Sequence, residues 1–70
     1  MQEIKINGIY RHFKGHIYRV LAIAKNSETL DELVIYCDLE EKNVWARPIE
    51  MWFDEVEFEG ETVTRFTRIE

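Results

Sequence analysis

The side chains with the widest chemical range in this chain are His12, His16, Cys37 and a scattered set of aromatic and cationic residues. His12 and His16 stand four apart, a spacing that would put two metal ligands on one face of a helix. Lys14-Gly15 between them reads instead as a tight turn, and no CxxC pair or repeated Cys/His spacing supplies further ligands, so no metal is expected. Cys37 would need a nearby base, itself oriented by a third group, to act as a nucleophile. Alternation groups it with Leu33, Ile35 and Leu39 on an apolar face, where a thiol behaves as an inert small hydrophobe. Gly8, Gly15 and Gly60 are isolated, and none belongs to a phosphate-cradling loop. The expectation is a protein that is not an enzyme and carries no cofactor.

The constellation that remains suits binding. Tyr10, Arg11, His12, Lys14, Tyr18, Tyr36, Trp45, Arg47 and Arg65 mix rings with cations, a combination that stacks on bases, grips a peptide or accepts a proline-rich segment. Ser27, Glu28 and Thr29 join them as residues that first form a turn and then offer contacts to a ligand. The same large side chains also suit the filling of a small core, and the arginines also suit pairing with carboxylates. For Trp45 and Arg47, inward-pointing Val44 and Ala46 would send both to the opposite face, with Pro48 ending the strand beside them.

Charge is unevenly placed. Residues 1–25 carry five basic side chains against Glu3 alone, a balance of +4, while residues 26–70 carry four against thirteen acidic ones, −9, which together make the net −5. The expected partner is a protein or peptide, with a nucleic acid bound by the basic N-terminal third as the alternative. That alternative needs Arg11, Lys14, Arg19, Lys25 and Arg47 gathered on one surface. No run nears the roughly 18 apolar residues of a membrane span, and Met1 to Lys5 lacks the apolar stretch of a signal peptide. With a single cysteine, no internal disulfide can form, so a cytoplasmic monomer or weak homo-oligomer is expected.

The elements that must position these residues are short and rich in Val, Ile, Thr and aromatics, with no helical period sustained over three turns. Strands are expected at Ile9 to Phe13, His16 to Lys25, Leu33 to Leu39, Val44 to Arg47, Glu55 to Phe58 and Thr62 to Thr67. Turns fall at Lys14-Gly15, Asn26 to Thr29, Glu40 to Asn43 and Glu59 to Glu61, with a helical turn at Ile49 to Phe53 after Pro48. The fold class is all-β: one domain over 1–70, a strongly bent antiparallel barrel of five or six strands of the Src-homology-3 type, with 1–8 and 68–70 able to fray. Its expected core is Val20, Leu21, Ile23, Leu33, Ile35, Val44, Met51, Phe53 and Val56.

Tyr10-Arg11-His12-Phe13-Lys14-Gly15, Tyr18-x-Val20-Leu21, Ser27-Glu28-Thr29, Trp45-x-Arg47-Pro48 with Met51 and Phe53, and Arg65-Phe66 follow one another in an order that resembles the bacterial domain-of-unknown-function family 1653 (DUF1653). The resemblance implies a short protein with a small β-barrel fold and no established activity or cofactor. Asn26 stands where many members of that family carry histidine, so a role for a histidine before Ser27 does not carry over.

Overall fold

Seven strands and one 3-10 turn make up the computed structural model, which describes residues 4–40 and 42–70. β1 (Ile9–His12) and β2 (Ile17–Lys25) form a hairpin through Gly15, whose φ of 104° lies in the region that only glycine enters without strain. β2 connects to β3 (Glu32–Asp38) through a turn organised by Asn26, whose Oδ1 accepts the N–H groups of Glu28 at 2.9 Å and Thr29 at 3.3 Å. Between β3 and β4 (Val44–Pro48), Asp38 accepts the backbone N–H of Lys42 at 3.0 Å and the side-chain amide of Asn43 at 3.2 Å. Pro48 cannot extend a ladder, and the 3-10 turn Ile49–Met51 follows it directly, as its fixed φ favours. β5 (Glu55–Phe58), β6 (Glu61–Thr64) and β7 (Phe66–Arg68) complete the chain.

All strand pairings are antiparallel. One sheet has the order β4-β3-β2-β1-β7, and β5 and β6 form a separate hairpin. The all-β class and the single helical turn therefore match expectation, whereas no closed barrel forms among the described residues. The single strand expected over Thr62 to Thr67 bends at Arg65, whose N–H continues the pairing with β5 by donating to the Asp54 carbonyl at 2.9 Å, whose carbonyl accepts the Phe13 N–H at 2.9 Å, and whose guanidinium clasps the Asp54 carboxylate. β6 thus stays with β5 while β7 crosses to the edge of the larger sheet. β2 carries a register shift between Val20 and Ala22, an irregularity of the kind that bends a strand.

Of the ends expected to fray, residues 1–3 lie outside the described residues, and the rest are tied down. The Asn7 N–H donates to the Val20 carbonyl, and the Ile9 N–H to Glu70, both at 2.8 Å. No helix among the described residues is long and apolar enough to cross a membrane.

Register sorts the larger sheet into two faces. Tyr10, Tyr18 and Asp38 align across β1, β2 and β3, as do Val20, Tyr36 and Trp45 across β2, β3 and β4; Val34 lies opposite Arg47, and His12 opposite Phe66. This is the inner face. Tyr10, Val20, Val34, Tyr36 and Phe66 are buried on it under Trp52, which follows the 3-10 turn and is fully excluded from solvent. Trp52 stacks on Phe66 with ring centroids 3.9 Å apart and meets Tyr10 and Tyr36 edge-on at 5.4 and 5.0 Å.

This core differs from the expected one. Of the expected residues Val20 is buried and Ile23 and Phe53 pack against the core, but Leu21, Val44 and Met51 are exposed, while Leu33, Ile35 and Val56 are half-buried. In β3 and β4 the alternation is as expected with its sense reversed: Val34, Tyr36, Trp45 and Arg47 face inward, and Leu33, Ile35, Val44 and Ala46 face outward. Cys37 is buried as expected, though on the outer face, in register with Arg19 and Val44.

Candidate functional site

Trp52 covers only part of the inner face. Beyond it Tyr18, Trp45, Arg47 and His12 continue the same surface toward solvent, each held by its strand rather than by a loop. Tyr18 and Trp45 meet edge-to-face at 5.5 Å and 89°, and Tyr36 supports both from below at 5.3 and 5.7 Å. These rings fix one another, yet Trp45 keeps 40% of its surface exposed. Against it runs an open groove of about 490 Å³ lined by His16, Ile17, Tyr18 and Trp45, with Asp38 and Glu40 at its acidic end. Burial raises the Tyr18 phenol above its ordinary range, with Tyr36 and the Asp38 carboxylate adding to the rise and Arg47 opposing it. Tyr18 stands in register opposite Asp38 on β3.

The cationic end centres on Arg47. Its guanidinium carbon lies 5.7 Å from the centre of the Phe66 ring, a cation–π placement, and its Nε is buried without a hydrogen-bond acceptor among the described residues. A donor left in that state costs about 1–3 kcal/mol. The second such donor is Nε1 of Trp52, on the other group that packs on Phe66. The neighbouring arginine is differently placed: Arg65 Nε and Nη2 reach the two Asp54 oxygens at 2.7 and 3.2 Å, and this pairing holds the Asp54 carboxyl below its ordinary range.

His12 closes this end. It packs edge-on against Phe66 at 5.1 Å, and its Nδ1 accepts the Lys14 N–H at 3.2 Å, which leaves Nε2 as the protonated nitrogen of the neutral ring. Burial lowers its pKa from the ordinary value of 6.5, and the charges of Arg65, Arg47, Lys14 and His16 lower it further. In a chain of net charge −5, positive charge thus converges on one end of the inner face.

The residues singled out from sequence do not form one surface. His12, Tyr36, Trp45 and Arg47 come together on the inner face, with Tyr36 as a buried support. Tyr10 is core, its hydroxyl accepting the Lys5 N–H at 3.1 Å. Arg11 and Lys14 line a different groove of about 350 Å³, shared with Phe13 and Phe58. Ser27, Glu28 and Thr29 are exposed in the β2–β3 turn, at the opposite end of those strands from Tyr18 and Asp38. Tyr18, one of the rings in the wider aromatic and cationic constellation, belongs to the site together with Asp38, which the sequence did not single out; alternate-residue spacing from Val20 and Tyr36 marks both once those two are known to face inward. Among the described residues no group of three or more His, Cys, Asp or Glu side chains is placed to hold a metal.

An open antiparallel sheet with one aromatic face, partly covered by a tryptophan and partly presented to solvent with a cation at its end, defines a small all-β domain. The family model described as protein of unknown function, DUF1653, matches residues 8–68, and the chain belongs to that family. It is similar to the crystal structure of a DUF1653 protein from Bordetella bronchiseptica, with a TM-score of 0.84 and 29% identity, covering 99% of this chain and 91% of that one. No curated protein matches the chain.

Proposed function

We propose that this domain is a non-enzymatic binding module that takes a protein or peptide segment across Trp45 on its inner face. The observation that carries the reading is the state of that indole: immobilised by Tyr18 and Tyr36, yet 40% exposed above a groove. A large ring held in place before binding loses little freedom on contact, and such aromatic anchors dominate the energetics of protein interfaces. The groove is open along its length, which suits an extended segment better than an enclosed small molecule. Binding to nucleic acid draws less support, because register puts Arg11 and Arg19 on the outer face, away from Arg47, and Lys25 lies opposite Glu32. A cytoplasmic setting remains part of the reading, resting on the lone cysteine.

The test is a selection of random displayed peptides on the intact chain, with affinities then compared on Trp45→Ala. Selected peptides should shift the Trp45 indole N–H resonance and lose about tenfold or more in affinity on the variant, the scale of a hot-spot residue. Equal binding to both proteins, or binding of single-stranded RNA with no peptide enriched, would refute it.

A further inference from the structure

Building on the peptide-binding reading, we propose that Arg47 is an anchor for a single carboxylate of the ligand, seated on Phe66 beside His12 and Tyr18. Two guanidinium groups approach this end of the face, and only one has an acid to itself. Asp54 is clasped by Arg65 through two hydrogen bonds, while the buried Nε of Arg47 has no acceptor among the described residues. The Arg47 guanidinium carbon also lies 5.7 Å from the centre of the Phe66 ring, within cation–π range. A planar fork matches the two coplanar oxygens of a carboxylate, and a ring beside it limits the freedom the side chain has to lose on binding.

Charge selects the class of anion. The groups facing this position are Arg47, Arg65 with its charge neutralised by Asp54, His12 held toward its neutral form, Lys14 and His16 at the rim, and Asp38 beyond Tyr18. One half-buried guanidinium without a carboxylate partner among the described residues suits a monoanion. A phosphate dianion would add a charge that this guanidinium does not offset, and Asp54 and Asp38 would oppose it. The carboxylate can come from an acidic side chain or from a chain terminus, and the chemistry of the seat is the same for both.

The experiment is a titration of the full chain, labelled with ¹⁵N, at constant ionic strength, following the Arg47 Nε–H resonance. The probes are N-acetylglutamate amide for the side chain, N-acetylglycine for the terminus, N-acetylglutamine amide as the neutral match and inorganic phosphate as the dianion. At least one carboxylate probe should give a saturable shift of Arg47 Nε–H, with His12 titrating at higher pH in the complex because an adjacent anion favours the imidazolium. The glutamine probe should give neither effect, and phosphate should bind no more tightly than the carboxylate. Arg47→Lys keeps the charge without the fork and should weaken binding about tenfold; the wild-type resonance remains a direct readout should a variant fold poorly. No saturable shift with either carboxylate, or tighter binding of phosphate, overturns the proposal. If displayed peptides bind through Trp45 while both carboxylates fail, the anchor is wrong and the peptide reading stands. The converse result leaves the anchor and removes the peptide.

Discussion

The covered and uncovered parts of the inner face are made from the same strands and nearly the same residue types, yet they solve opposite problems. Under Trp52, the rings of Tyr10, Tyr36 and Phe66 exclude water completely, with centroid separations from the indole of 5.4, 5.0 and 3.9 Å. Beside them, Tyr18 on β2 and Trp45 and Arg47 on β4, the latter two directly across from Tyr36 and Val34, are packed with similar care but left open. The first region obtains its stability from closure. The second has order without closure, and each region keeps one buried donor that no described residue satisfies, Trp52 Nε1 in the first and Arg47 Nε in the second. Order of that kind lowers the cost of receiving a ligand, whereas the fold itself gains little from the unsatisfied donor.

Removing the cover should break the contrast most strongly. Trp52→Ala should cost about 3–5 kcal/mol, the range for a buried large aromatic, and be seen as a collapse of the denaturation midpoint. Trp45→Ala, which removes a ring of nearly equal size in contact with Tyr18 and Tyr36, should cost only about 1–2 kcal/mol, because much of that ring is exposed already. Equal losses would mean that both regions are core. Acid sharpens the contrast further. The folded pKa of His12 lies below its ordinary 6.5, so the unfolded chain takes up its proton first as pH falls, and stability present above 6.5 is lost as pH falls through the folded value. Asp54 produces a second loss below its ordinary 3.8, since its folded pKa is also depressed, there by Arg65. Denaturation curves across this range should show both steps in the wild type, and His12→Gln should remove only the upper one.

The pattern of strands was largely legible, because Val, Ile and aromatic runs separated by Lys14-Gly15, Asn26 to Thr29 and Glu59-Gly60 carry local turn chemistry. What was not legible depended on distant partners. The bend that divides Thr62 to Thr67 into β6 and β7 falls at Arg65, which bonds Asp54 on one side and the Phe13 N–H on the other, distant partners that no local pattern announces. The face of β3 was misassigned because Leu33, Ile35 and Cys37 are as apolar as Val34 and Tyr36, so alternation set the period but not its sense. Trp52 supplies the missing information: an indole arriving after the 3-10 turn decides which side becomes the interior, with Phe53 packed against that core and Met51, expected in it, exposed. Trp45 and Arg47 were recognised as a pair on one face, but that face proved to be a continuation of the core rather than the side away from it.

The smallest expected change tests the central claim most directly. Arg47→Met keeps an unbranched side chain over Phe66 while removing both the charge and the orphaned Nε, so chemical denaturation should show stability within about 0.5 kcal/mol of wild type or raised by up to about 1 kcal/mol. The carboxylate-dependent shifts of the neighbouring His12 should vanish in the same variant. A loss of about 2 kcal/mol or more would contradict this account, because it would make Arg47 a support of the fold and the open half of the inner face an unfinished core.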